Sequence, residues 1–225
     1  MTIPRRIKKI TSKFKYNNKL DNLNKSHFEI IISRYDEDIT WSDNYKKFRT
    51  IYNKGLDNIE TPYIKLENKG HLADTILRHI ILNYNNLANV TFFTHGSFNY
   101  RNDQLIKDTG KCHKLFHDFI QTDKDTLVYI KKRGLPDKNK KFKNYPKTVG
   151  NVYKSIFNKD YKKKFPWAIG KWISVSKERI HKTPIKIYKK MLDFVLDNYK
   201  NKEPSQKIYR TRGIYIERFI LSCFI

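Results

Sequence analysis

Cysteine is nearly missing from this chain: Cys112 and Cys223 are the two in 225 residues. That excludes a disulfide framework and predicts free thiols in a reducing compartment. Long apolar runs are missing too. No stretch approaches the roughly 20 residues of a membrane-spanning helix, and the opening MTIPRRIKKITSKFK lacks the uninterrupted apolar stretch of a secretory signal. The expectation is a soluble, intracellular, cytoplasmic protein with no transmembrane segment. Acidic residues are scarce, with 22 Asp and Glu against 47 Lys and Arg, for a formal net charge of +25.

A balance this basic suits nucleic acid, anionic lipid or phosphorylated small molecules as partners. It also has a plainer origin. Lys, Asn, Ile and Tyr are all abundant and all have A/T-rich codons, so a skewed genome supplies lysine without selecting a partner. Lysine outnumbers arginine, whereas direct base or phosphate reading favours the planar guanidinium. Nucleic-acid binding through net charge therefore stands as the alternative to a more specific site.

At 39% hydrophobic the chain can bury a sizeable core. The expected layout is a basic tail over residues 1–24 and one domain over 25–225. In the tail, Ile3, Ile7, Ile10 and Phe14 stand at helical spacing, which fits either a short amphipathic helix or a mobile segment. HFEIIISRY reads as a buried strand, FRTIYNKG as a second strand closed by a glycine turn, and NVTFFTHG as a third. Between the second and third, Leu72, Ile76, Leu77, Ile80, Ile81 and Tyr84 recur every three or four residues, predicting a helix over 70–86. A further helix is expected through KCHKLFHDFIQT and a strand at LVYI. Residues 131–164 are basic, aromatic and proline-broken, which suggests a functional loop or lid with a turn of helix at 149–157. WAIGKWISVS reads as extended. TPIKIYKKMLDFVLDNY opens a helix with Thr183 as N-cap and Pro184 at the first helical position, and GIYIERFILSCFI is apolar and buried. Such alternation predicts an α/β domain with a mainly parallel sheet flanked by helices, whose ligands gather at the carboxyl ends of the strands.

Those ends are polar. Arg34, Tyr35, Asp36, Glu37 and Asp38 follow the first strand, Asn53, Lys54 and Gly55 the second, and Thr94, His95, Gly96 and Ser97 the third. Asp36 and Asp38 can accept hydrogen bonds from a base or ribose, and Tyr35 or Trp41 can offer a stacking face. Equally, Asp38, Thr40 or Ser42 can cap a helix. Gly70 before a helix permits close approach of a phosphate or marks a simple turn. Trp167 and Trp172, flanking Gly170, form either a sugar-stacking platform for an acceptor or part of the core. His113 and His117 stand four apart without any HExxH or CxxC context, so a solvated face is the default over zinc. Phe142, Tyr145, Tyr153, Phe157 and Tyr161, interleaved with lysines, could line a single-strand nucleic-acid groove, though no RNA-recognition or zinc-finger signature accompanies them.

The series SRYDEDITW, YNKG, a glycine-led helix ending in NYNNL, TFFTHG, WISVSKERI, TPIKIY and YIER resembles a family of glycosyltransferase-like proteins found in microbes and large DNA viruses. The match runs from about Phe28 to the C-terminus. It implies a GT-A-like fold, a nucleotide-sugar donor held by Asp36 and Asp38, and a hydroxyl acceptor on a glycan or protein. In many such enzymes an Asp-x-Asp pair at the third strand holds Mg²⁺ or Mn²⁺; here His95 occupies that place, as a candidate metal ligand or phosphate contact. Cationic side chains, with Lys54, Arg78, Arg101, Lys171 and Arg179 as candidates, would then neutralise the leaving diphosphate. Relatives carry an Arg-Glu pair after the glycine where this chain has His71 and Leu72; if that pair is catalytic, this chain is weakened or inactive. Glu217 of YIER is the candidate general base, or else forms a structural ion pair with Arg218.

Overall fold

The computed structural model describes residues 23–98, 125–131, 139, 141, 145–161, 168–197 and 204–225. The predicted N-terminal tail and helix, the KCHKLFHDFIQT helix, most of the 131–148 stretch, and Cys112, His113, His117, Arg101, Phe142 and Trp167 fall wholly or almost wholly outside them.

Strands β1 (Phe28–Arg34), β2 (Arg49–Asn53), β3 (Ile64–Lys65), β4 (Val90–His95), β5 (Leu127–Lys131) and β6 (Ala168–Ser176) form one sheet in the order β3-β2-β1-β4-β6-β5. All seven residues of β1 are buried, as its continuous apolar run requires for a strand covered on both faces. The β1–β2, β1–β4 and β2–β3 pairings are parallel, while β6 runs antiparallel to both β4 and β5. The predicted α/β sheet is therefore mixed, with its parallel part on the side that carries the polar strand ends.

Alternation along the strands splits the core in two. Ile31, Phe93, Ile173 and Val175 face one way, against helices α1 (His71–Leu82), α2 (Val149–Phe157), α4 (Ile185–Leu196) and α5 (Gln206–Phe219). Ile30, Ile32, Phe92 and Trp172 face the other way, against Tyr45 and Phe48 of a 3₁₀ segment over Thr40–Phe48. A one-turn helix α3 (Lys177–His181) follows β6, capped by the Ser176 hydroxyl.

The predicted helix at 149–157 forms over those residues, with the Thr148 hydroxyl accepting from the Asn151 N–H. WSDNYKK, which has no strong helical period, lies inside the 3₁₀ segment. One reading needs correction. Pro184, not Thr183, occupies the N-cap position of α4, because the Thr183 hydroxyl donates to the Cys223 carbonyl instead of closing the helix. The apolar C-terminal segment comprises the end of α5, which starts twelve residues before Arg218 at Gln206, and a 3₁₀ turn over Ile220–Cys223. Arg212 of α5 is 1% exposed and donates to the Val195 and Asp197 carbonyls, tying α5 to the carboxyl end of α4.

Candidate functional site

Strands β1, β2 and β4 run the same way, so Arg34, Asn53 and His95 end at one edge, with Arg34 opposite Asn53 and Ser33 opposite His95 in register. From β1 the chain passes to β2 on one side, and β4 flanks β1 on the other. This reversal of direction is the place where open α/β sheets bind ligands. A cavity of about 610 Å³ opens there, lined by Ser33, Arg34, Tyr35, Glu37, Lys54, Asn68, His71, Leu72, His95, Gln206, Lys207 and Arg210. Its volume falls within the range of small-molecule sites.

The first wall is the loop after β1, and Arg34 organises it. Its guanidinium donates to the Glu37 and Tyr35 carbonyls, to Asn53 Oδ1 and, as a fork, to both Asp57 carboxylate oxygens at 2.9 and 2.6 Å. The Arg34 contact holds the exposed Asp57 carboxyl below its ordinary range, and the same bond raises the guanidinium. Asn53, fully buried, accepts from the Gly55 N–H and donates to the Asp57 carbonyl. Gly55 is required by space: a Cβ there would lie 1.8 Å from the Tyr35 carbonyl oxygen and 2.8 Å from Asp36 Oδ1. Glu37 folds back so that Oε2 accepts from the Tyr35 N–H at 2.6 Å, against Gly96. Trp41 donates from Nε1 to the Gly96 carbonyl and packs on Phe98, joining the β1 and β4 loops. Tyr35 keeps 44% of its surface exposed at the rim.

The second wall is the start of α1. Gly70 takes a left-handed conformation with φ 71°, and a Cβ on it would come 2.4 Å from Val195 Cγ1. His71 follows, also left-handed at φ 53°. The buried Lys54 ammonium donates to the His71 carbonyl at 2.6 Å and to Asp74 Oδ2 at 2.9 Å, and Asp74 Oδ1 accepts from Arg78 Nε. The third wall is the first turn and a half of α5, where Gln206, Lys207 and Arg210 are exposed. Ser205 precedes this helix without a side-chain cap bond, and its first-turn N–H groups give the end a partial positive charge.

Of the expected site residues, Arg34, Tyr35, Lys54 and His95 come together around the cavity. Asn53 and Trp41 support its loops from behind. Gly70 sets the turn that leads into it. Asp36 lies over Gly55, and Asp38 accepts from the Thr40 N–H and hydroxyl in a local turn just ahead of the 3₁₀ segment, whose N-cap is Ile39 with no side-chain cap bond; neither lines the cavity. Arg78 is committed to Asp74 and stands outside the lining. Glu217 stands on α5 two turns past Arg210, roughly 10 Å along the axis, and is also outside it. Trp172 is fully buried against Phe98, with no face for an acceptor, and Gly170 lies in β6 beside it in sequence. Arg179 binds Asp125 and the Phe224 carbonyl beside the Lys177–Asn89 contact, at the opposite edge of the sheet.

The reading of the sequence missed Ser33, Asn68, His71, Gln206, Lys207 and Arg210. The α5 residues were findable: Pro204-Ser205 is a helix-start signal, and Tyr209, Arg212, Ile216 and Phe219 follow at helical spacing.

A divalent cation fits this lining poorly. Its donors would be two imidazoles, His71 and His95, and one carboxylate, Glu37, already bonded to a backbone N–H, with Lys54, Lys207 and Arg210 beside them, a set short of the several oxygen ligands that Mg²⁺ or Mn²⁺ takes. Among the described residues no group of three or more His, Cys, Asp or Glu side chains is placed to hold a metal ion.

The family described as "Protein of unknown function (DUF3431)" matches residues 30–212, a span holding all three strand ends and the first turns of α1 and α5. The chain belongs to that family. No curated protein and no solved structure matches it. In this DUF3431 chain the matched span takes in every residue lining the cavity.

Proposed function

We propose that the cavity binds the nucleoside diphosphate portion of a nucleotide sugar, and that the chain is a GT-A-like glycosyltransferase acting on a hydroxyl acceptor. The observation that carries this reading is the cavity itself: it lies over the β1–β4 reversal, and its charged lining residues are cations apart from Glu37, with Arg34 and Lys54 paired to Asp57 and Asp74 and with Lys207 and Arg210 exposed on α5. The order 3-2-1-4 of the first four strands agrees with the first four places of the 3-2-1-4-5-6 order of a doubly wound nucleotide-binding sheet, in which the ligand sits at the switch between strands 1 and 4. The exposed Tyr35 ring suits stacking on a base.

In such a transfer the acceptor oxygen bonds to the sugar's anomeric carbon as the bond to the diphosphate breaks, the hydroxyl proton passes to the departing diphosphate or to water, and the leaving group carries off negative charge. Lys207, Arg210 and the positive end of α5 would stabilise that charge. His95, on the floor, would contact the diphosphate. The cationic lining supplies this neutralisation from the protein, so no step here runs through a metal ion.

The test is release of nucleoside diphosphate from a panel of nucleotide sugars, with and without Mn²⁺, by the full chain and by its Arg210→Ala variant. Turnover or thermal stabilisation with one donor, reduced in the variant, is the expected result. No turnover and no stabilisation with any donor contradicts the reading.

A further inference from the structure

A left-handed histidine lines the cavity, and three separate elements hold it there. His71 has φ 53°, directly after Gly70 at φ 71°. A side chain with a Cβ pays for this region of conformational space, and it persists only where the surroundings over-determine it. They do. Val195 of α4 leaves no room for a side chain on Gly70, Gly213 of α5 packs on the Gly70 carbonyl, and the buried Lys54–Asp74 pair grips the His71 carbonyl.

Simple helix initiation does not call for this arrangement. A residue at the first position of α1 in ordinary helical conformation would start the helix without strain, and glycine would accept the left-handed one. Retained strain at a cavity wall points to the imidazole that it presents. We propose that His71 is a ligand-binding residue, held left-handed so that its imidazole meets the phosphate oxygens of the nucleoside diphosphate. This rests on the reading of the cavity given above. It adds that the wall at α1 binds the same anion as Lys207 and Arg210 across the cavity.

Two variants separate binding from folding. His71→Gly removes both the imidazole and the strain, whereas His71→Asn removes the imidazole and keeps a residue that tolerates the left-handed region. Binding of UDP and GDP is measured by calorimetry, with thermal unfolding alongside. His71→Gly is expected to raise the midpoint of unfolding and weaken binding about tenfold, the scale of one lost charge-assisted hydrogen bond. His71→Asn is expected to weaken binding similarly with little change in stability. Wild-type binding that both variants retain in full overturns the role of His71 and leaves the reading of the cavity standing. Wild type that binds neither diphosphate brings down both.

Discussion

Gly213 on α5 packs directly on Gly70 at the start of α1: a Cβ on Gly213 would lie 2.7 Å from the Gly70 carbonyl oxygen and 3.4 Å from its Cα. Backbone meets backbone there, so two walls of the cavity are set by the absence of side chains. An exposed helical glycine usually gains stability from replacement by alanine. Gly213→Ala should instead lose roughly 1–3 kcal/mol by overpacking and push α5 away from α1. Urea denaturation checks the sign.

The Lys54–Asp74 pair is closed from water, with side chains 2% and 1% exposed. Removing one partner strands the other, and Asp74→Asn or Lys54→Met should each cost on the order of 3–5 kcal/mol. A double variant, Lys54→Met with Asp74→Leu, should cost much less than the sum. A double-mutant cycle measured by denaturation separates these outcomes, and additivity would show that the pair is not coupled.

At the far end of the sheet Glu29 contacts His79, Thr50 and Lys25. Burial pushes its carboxyl up, but His79, then Thr50 and Lys25, outweigh burial and leave it below the ordinary carboxylate range. A carboxyl lowered in the folded state stabilises above its unfolded pKa of about 4.3 and loses that contribution as pH falls through the folded value. Glu29→Gln should therefore be less stable than wild type near pH 7, with the gap closing below about pH 4. A gap that stays constant across this window contradicts the assignment.

Trp172 is fully buried, and its indole N–H has no hydrogen-bond partner among the described residues. Trp172→Ala should cost about 3–5 kcal/mol. Trp172→Phe should cost far less, because it also removes an unsatisfied buried donor worth roughly 1–3 kcal/mol. If Trp172→Phe is as damaging as the alanine, the packing around Phe98 is wrong.

The parallel strands were legible because β1 centres on the apolar run Ile30–Ile32 and α1 repeats at helical spacing. Their polar ends pointed correctly to one edge, which brought Arg34, Tyr35, Lys54 and His95 to a shared cavity. What the sequence could not reveal was which polar residues at that edge were already spent. Asp38 bonds to Thr40, and Asn53 to Gly55 and Asp57, local partnerships that composition does not disclose. Trp172 and Trp41 looked alike as aromatic platforms, yet one belongs to the core and the other staples two loops. The reversal of β6 depends on tertiary pairing with β4 and β5, so alternating elements alone implied a more parallel sheet. Lys207 and Arg210 were overlooked because the polar start of α5 hid the helix that carries them, and Glu217 was favoured for its motif although it lies two turns farther along.

The most direct measurement is calorimetric titration of the full chain with UDP and GDP at low salt, repeated with Lys207→Ala and Arg210→Ala. Saturable binding of at least one diphosphate at a single site, weakened by both substitutions, is the result expected of a cationic crevice over the β1–β4 reversal. Absence of binding to either, or binding indifferent to both substitutions, would contradict it.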